Sequence, residues 1–513
     1  MNSAQADTPR LRGALGFAAA LGAGAICVPL AVVLGQLEAR YMIAALAALA
    51  GLVGLALLGS LARVRMVLVA ALSLGLSIGL SISFLHHTEL QGRYAPFVGG
   101  ALAVTASLAQ IAAAGYILCW LLETRLVGRP RPLRLVPLLL WPQLLFMASG
   151  MLSLSNALYP ALTWLEMIRL AGLLLITTVM TNLTRRELII YLWVLAVSVM
   201  IQAGLAAVQF ATGRELGLGV LGEAKLLNYR IASVQVARPT GTIGDANMLA
   251  YFFEITFPVM LAMFYLARQN LTRLVAAAAT LAAAAGMVAA YSRAAWMTVP
   301  VSVAFVTLRI LGRRVISLRT AIVLIVLTIS LAVAMIWLWP LIERRIFGDD
   351  AGSVAHRWPL AQAALSIFAQ FPVLGVGLNN FAVSFTAYDL TSYSRVFPGG
   401  DHVVHNLHLL ILTETGLVGF AVHVMMFGAA GWLAFTTTGD RVAQGLAVAA
   451  FAGLLAHLGH GMVDPGFKLS LAVSQLVAAQ LGLIGCLWLH ARESGGSVGI
   501  LGQIRPVSLR NGG

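Results

Sequence analysis

Charge is what this sequence has least of. Lys, Arg, Asp and Glu make up 10% of its 513 residues, where a soluble domain carries about a quarter. With 60% of residues hydrophobic and a mean hydropathy of +0.90, an ordinary soluble fold is excluded. Cysteine is nearly missing too. The three present, Cys27, Cys119 and Cys486, each lie inside an apolar run, so neither a disulfide framework nor a thiolate metal site is expected. Acidic residues are fewer than basic ones, giving a net charge of +14. That excess invites a nucleic-acid partner, but the basic residues fall in short clusters between apolar runs. Orientation in a bilayer demands that pattern, so no nucleic-acid partner is expected.

What is present is a succession of apolar windows, each near the length of roughly 20 residues that crosses a hydrocarbon core. They lie near 13–34, 41–60, 66–85, 98–122, 133–152, 161–181, 188–210, 246–267, 271–291, 294–311, 320–341, 411–435, 443–463 and 467–490. The first lacks a small-residue cleavage site and reads as a retained span. The expected fold is therefore all-α, a polytopic transmembrane helix bundle of about 12–14 spans. No internal repeat marks it as an inverted-repeat transporter.

The connections orient these spans. With Arg10 and Arg12 inside, the stretches LARVR, ETRLVGRPRPLR, LTRRE, RQNLTR and RILGRRVISLR all fall on the same side, with Arg441 and the tail. They hold more than half of the 33 Lys and Arg, which predicts that both termini are cytoplasmic. The chain then divides into an N-terminal bundle (1–210), central spans with an outer Arg-containing loop (211–341), a large outer loop (342–403), C-terminal spans (404–490) and a cytoplasmic tail (491–513). Loops as long as 211–245 and 342–403 are functional or disordered as a rule. Within the second, HRWPLAQAALSIFAQ has a helical period with one apolar face, expected of an interfacial helix.

The chemistry collects on the outer side: ARPTGTIGDANMLA, YSRAAW, HRWPL, VVHNLHLLILTETGLVGF and GHGMVDPGF. Arg238, Arg293 and Arg357 are permanent cations with forked donors suited to phosphate oxygens. The Gly-rich turn from Thr240 to Asn247 ends where a helix should begin, so its backbone N–H groups and the helix dipole are also expected to receive an anion. His405 can take a proton near neutral pH, and Asp464 can hold its imidazole in one tautomer. Each group has a plainer reading. A lone Arg at a membrane edge also snorkels, a His at a helix start also serves as a structural hydrogen-bonder, and Asp464 before Pro465 also shapes a turn. Glu166 and Arg169, at i and i+3 inside a span, read as a local ion pair, and Glu254 is open to either reading. His402, His405 and His408 with Asp401 raise a metal site, but positions three apart drift around a helix and no HExxH is present, so no metal is expected. Gly416 and Gly419 read as small residues that let one span pack closely.

HNLHLLILTETGLVG fits His-Asn, nine residues, Gly, two residues, Gly, and in this it resembles the signature of the bacterial O-antigen ligase and O-antigen or exopolysaccharide polymerase family. RPTGTIGDANMLA is similar to the family's Arg-x-x-Gly-Thr-x-Gly-x-x-Asn segment, and YSRAAW to its Ser-Arg-x-x-Trp segment. HRWPLAQAALSIFAQFPVLGVGLNNF is similar to its Arg-Trp, Pro-x-x-Gly-x-Gly, Asn-Phe segment. Two departures are Phe420, where Thr or Tyr often stands, and a span count above the usual dozen or so. The resemblance implies a type C glycosyltransferase of the inner membrane, working at its periplasmic face without cofactor or metal. Its donor would be a glycan on undecaprenyl pyrophosphate, and its acceptor lipid A–core for a ligase or a growing glycan for a polymerase. Carried over, Arg238 and Arg293 would grip the pyrophosphate and Arg357 the glycan. Asn247 and Asn406 would also bind substrate, and His405, with Asp464, would accept the acceptor's proton. The rival reading is a transporter or flippase of a lipid-linked or anionic solute, which should hold its ionisable groups near the midplane beside broken helices.

Overall fold

The computed structural model describes residues 60–84, 103–126, 132–231, 234–312, 353–391 and 403–493. The expected spans at 13–34 and 320–341, nearly all of 41–60, residues 342–352 and 392–402 of the large loop, and the tail after 493 lie outside the described residues.

In chain order the elements are α1 (Leu61–Gly75), β1 (Ser81–Phe84), β2 (Val104–Ser107), α2 (Leu108–Leu126), α3 (Pro137–Leu152), α4 (Pro160–Thr181), α5 (Arg185–Thr212), β3 (Leu227–Ile231) and β4 (Val234–Arg238). They continue with α6 (Ala246–Leu266), α7 (Asn270–Ala289), α8 (Arg293–Leu311), α9 (Ser353–Gln370), α10 (Phe381–Tyr388), α11 (Leu407–Thr436), α12 (Arg441–His460), α13 (Gly466–Leu469) and α14 (Leu471–Glu493). Among the described residues the strands form two antiparallel pairs, and most of the rest is helical. The fold is an all-α polytopic bundle, with nine helices among the described residues long and apolar enough to cross a membrane.

Two compact units divide the chain: residues 1–68 with 115–131, and residues 69–114 with 132–513. Within the first, Arg65 pairs with Glu123 and lies over the Tyr116 ring. The second holds all nine long helices. Their starts are written locally. Pro137 and Pro160 open α3 and α4 at positions where no N–H is needed. Thr184 and Glu187 form a capping box on α5, and Asp245 and Asp440 cap α6 and α12. Helices α6, α12 and α14 are the most deeply buried and form the centre. Helices α7 and α8 expose apolar side chains such as Leu281, Met297 and Val301, the pattern of helices that face lipid.

The expected span at 66–85 is replaced by α1, which stops at Gly75, and by β1, which pairs with β2 at the head of the expected span 98–122. Ser and Gly dominate residues 73–83 and weaken the helix there. Gly79 N–H instead donates to Thr242 O at 2.8 Å, tying this turn to the Gly-rich loop before α6.

Helix α11 begins at Leu407, earlier than the sequence suggested, because the Asn406 side chain accepts from Leu409 N–H. It breaks at Gly416, whose φ of 64° and ψ of −167° are not helical. A Cβ there would stand 2.2 Å from Val373 O. Gly416 is therefore required by backbone conformation as well as by packing, which corrects the simpler expectation. The interrupted ladder is completed by the loop after α9. Val376 N–H donates to Thr413 O at 3.0 Å, Gly377 N–H to Glu414 O at 3.1 Å, and Leu417 N–H to Pro372 O at 2.9 Å. Two of the sequence motifs thus satisfy each other's backbone groups, as buried amides require. The apolar face of α9, with Leu360, Ala363 and Ile367, packs against Val403, Val404 and Leu410.

Candidate functional site

Helix α6 begins, α7 ends, α8 begins, α11 begins and α12 ends at one end of the second unit. Strand β4 delivers Arg238 there, and the turn after it is Gly-rich for a steric reason. Gly241 has a φ of 54°, and a Cβ on it would stand 2.3 Å from Gln202 Oε1. That amide oxygen accepts from Thr242 N–H at 3.1 Å, while Gln209 Oε1 accepts from Thr240 N–H and Gly241 N–H at 3.1 and 2.9 Å.

This usage corrects one expectation. Most of the backbone amides expected to receive an anion are already occupied. The Asp245 carboxylate caps α6, accepting from Asn247 N–H at 2.7 Å and Met248 N–H at 3.3 Å. An acidic cap repels an anion, which leaves the guanidinium groups as the cations suited to one.

Arg238 is buried, and two of its donors are fixed. Nε donates to Ala290 O at 3.0 Å and Nη2 to Asn247 Oδ1 at 2.7 Å. The Asn247 amide nitrogen in turn donates to Asp464 Oδ2 at 2.9 Å. Arg238, Asn247 and Asp464 are thus brought together in a line of charge-assisted hydrogen bonds. Asp464 lies on the turn between α12 and α13, and Tyr251 OH donates to its backbone carbonyl at 2.5 Å. Burial raises the Asp464 carboxyl above its ordinary value, and the Asp245 carboxylate adds to the rise. The fields of His460 and His405 and the Asn247 hydrogen bond oppose it.

His405 and Asn406 are half-buried and stand where the large loop enters α11. Leu407 N–H donates to Gly461 O at 2.7 Å, which pins this entry to the turn that carries Asp464. The Asp464 carboxylate's hydrogen bond runs to Asn247, not to His405, and the two groups act on each other through space. The expectation that Asp464 fixes the imidazole tautomer by hydrogen bonding is corrected accordingly. His408 Nε2 bonds to Leu458 O at 3.0 Å, a structural role.

Arg293 is the first residue of α8, where the helix dipole disfavours a cation and favours an anion. It follows a turn that carries Tyr291 at a φ of 51°, buried and stacked on Phe210 at 5.7 Å. Arg357 lies near the start of α9, one turn ahead of Leu360 in the cluster that holds Val403 and Val404.

Two networks were not legible as such. The expected local pair Glu166–Arg169 is joined by Lys468, which lies 2.9 Å from Glu166 and 3.0 Å from Glu414. Glu254, left open in the sequence, pairs with His460 Nδ1 at 3.0 Å, and His460 Nε2 faces the Ser292 hydroxyl at 3.5 Å. The hints were Lys468 close behind Asp464 and His460 in GHGMVDPGF, but neither reveals its partner. Among the described residues no group of three or more His, Cys, Asp or Glu is arranged to hold a metal.

Comparison with known families puts three of the four motif segments inside a match, and RPTGTIGDANMLA outside it. Residues 255–424 match the O-antigen ligase family. The match covers the segments around Arg293, Arg357 and His405 and ends inside α11. The matched stretch lies within a multi-pass helical bundle. No curated protein matches the chain. Among solved structures, one chain from a study of polymerization and crosslinking by a peptidoglycan synthase complex aligns over 69% of this chain and 97% of its own. Its identity is 18% and its TM-score 0.38, too loose to carry an argument.

Proposed function

We propose that this protein transfers a glycan from undecaprenyl pyrophosphate to an acceptor hydroxyl at the periplasmic face of the bacterial inner membrane, with both termini cytoplasmic. The observation that supports it most is the line Arg238–Asn247–Asp464, joined through the Gly461 turn to the entry of α11 where His405 stands. It links a cation suited to a diphosphate to the stretch that carries an imidazole, at the end of a membrane bundle.

In this reading Arg238 and Arg293 hold the diphosphate, Asn247 fixes Arg238, and Arg357 and Asn406 meet the glycan. His405 takes the proton from the acceptor hydroxyl as its oxygen bonds to the anomeric carbon. The bond from that carbon to the phosphate oxygen breaks, undecaprenyl pyrophosphate leaves with the electron pair, and the anomeric centre inverts. The arginines neutralise the leaving diphosphate, so the reaction needs no metal. Lipid A–core and a growing glycan are the two acceptors to test.

The transporter reading has one observation in its favour, the break in α11 at Gly416 beside the buried Glu414. The break is filled by backbone hydrogen bonds from residues 372–377, which argues against a cavity there. Reconstitution with undecaprenyl-pyrophosphate glycan and each acceptor tests both readings. Glycan on the acceptor supports transfer, and lipid crossing the bilayer with neither acceptor glycosylated supports transport. Loss of activity to a chelator, restored by metal, would overturn the metal-free mechanism.

A further inference from the structure

Between the two arginines lies a three-residue turn that nothing in the mechanism above uses. Ala290 O accepts from Arg238 Nε at 3.0 Å, and Arg293 begins α8 at the other end. The turn is strained, with Tyr291 at a φ of 51°. A bulky residue holds a left-handed conformation only where its surroundings impose it. The Tyr291 ring stacks on Phe210 and packs against Trp296, whose Nε1 donates to Met287 O at 3.1 Å.

Ser292 is the third constraint. It occupies the N-cap position of α8, where serine ordinarily bonds the helix's own amides, yet it makes no capping bond. Its hydroxyl is buried and faces His460 Nε2 at 3.5 Å. The other ring nitrogen of His460 pairs with Glu254 at 3.0 Å, and the Thr298 hydroxyl donates to the same carboxylate oxygen at 3.1 Å. The imidazole thus bridges Glu254 at one ring nitrogen and the Ser292 hydroxyl at the other. The His460 ring also stacks on Tyr251 at 3.9 Å and 15°, and Tyr251 OH holds the backbone of Asp464. Glu254 and His460 are both fully buried and lie 206 residues apart in the chain.

We infer that Glu254, His460 and Ser292 are positioning residues that lock the 290–292 turn and so fix the spacing between the Arg238 and Arg293 guanidinium groups to that of a lipid diphosphate. The inference rests on the proposed function and deepens it. The network selects two adjacent phosphates over one. A single phosphate engages one arginine and is insensitive to the spacing, whereas a diphosphate needs both.

The test uses the full-length protein in lipid nanodiscs. Undecaprenyl pyrophosphate and undecaprenyl monophosphate are titrated against wild type, Ser292→Ala, Ser292→Thr, His460→Ala and Glu254→Gln, and donor kinetics are measured on the same samples. Wild type binds the diphosphate more tightly. Ser292→Ala and His460→Ala lose about tenfold in diphosphate affinity, the size of one charge-linked hydrogen bond, with monophosphate affinity unchanged. Donor KM rises by the same factor while kcat holds. Glu254→Gln, which keeps shape and loses charge, falls between, and Ser292→Thr, which keeps the hydroxyl, restores the preference. Variants that transfer glycan and bind both lipids as wild type does overturn the inference and leave the proposed function standing. Equal loss of both lipids also overturns it, since general loosening gives that result. A wild type that neither prefers the diphosphate nor transfers glycan sinks the proposed function, and this inference with it.

Discussion

The Asn247 amide donates to Asp464 at 2.9 Å while its own oxygen accepts from Arg238 at 2.7 Å. One side chain thus orients a cation and supplies a donor to one oxygen of a buried carboxylate, two tasks that only a side chain with both a donor and an acceptor can combine.

Asn247→Ala breaks both bonds and leaves Asp464 buried without that donor. A hydrogen bond to a charged group contributes about 1.5–3 kcal/mol, so glycan transfer should fall by about 10- to 100-fold. Asn247→Asp should be worse, because it sets a second carboxylate against Asp464. Steady-state transfer rates for the two variants check the order. Asn247→Asp matching wild type would refute the linkage.

Burial holds the Asp464 carboxyl above its ordinary value, which fixes the sign of a pH effect. A group whose acidity is weakened by folding favours the fold while protonated. Its contribution is full below the ordinary carboxyl range and is lost as pH rises through the raised value. Asp464→Asn removes this dependence. The melting temperature of the variant minus that of wild type should therefore increase from acidic to neutral pH. A flat or falling difference would contradict the assignment.

Gly416 and Gly428 both sit in α11, with opposite surroundings. Gly416→Ala places a Cβ 2.2 Å from Val373 O on a backbone with φ of 64°, whereas Gly428 has nothing within 4 Å. The first should destabilise by more than about 1–2 kcal/mol, and the second should be neutral or stabilising by up to about 1 kcal/mol. Thermal melting in detergent separates them.

Lys468 is buried between Glu166 and Glu414, with Arg169 completing the set. Removing one partner of such a network strands the others, so Lys468→Met should cost about 3–5 kcal/mol. The double change with Glu414→Gln should recover part of that loss. No recovery would mean that the two charges do not depend on each other.

The sequence read well where chemistry is local. Apolar windows marked the long helices, and the segments carrying Arg238, Arg293 and His405 stood out because a membrane edge is a costly place for such groups. Asp464 stood out for the same reason, though its hydrogen-bond partner did not. What stayed hidden depends on distance in sequence or on backbone geometry. Glu254 meets His460 only because α6 and α12 pack together, and Lys468 reaches Glu166 across 302 residues. The Asp245 cap was misread as an open anion site because a Gly-rich turn before a helix looks the same whether its amides are free or occupied. The break at Gly416 was invisible, since a single Gly inside an apolar run reads equally well as close packing.

The central claim is that His405 accepts the acceptor's proton, and it is tested most directly by single-turnover transfer from bound undecaprenyl-pyrophosphate glycan. His405→Ala should bind the donor with wild-type affinity and transfer glycan about 10²- to 10⁴-fold more slowly, the range of a lost general base. Transfer by His405→Ala at the wild-type rate would contradict the account.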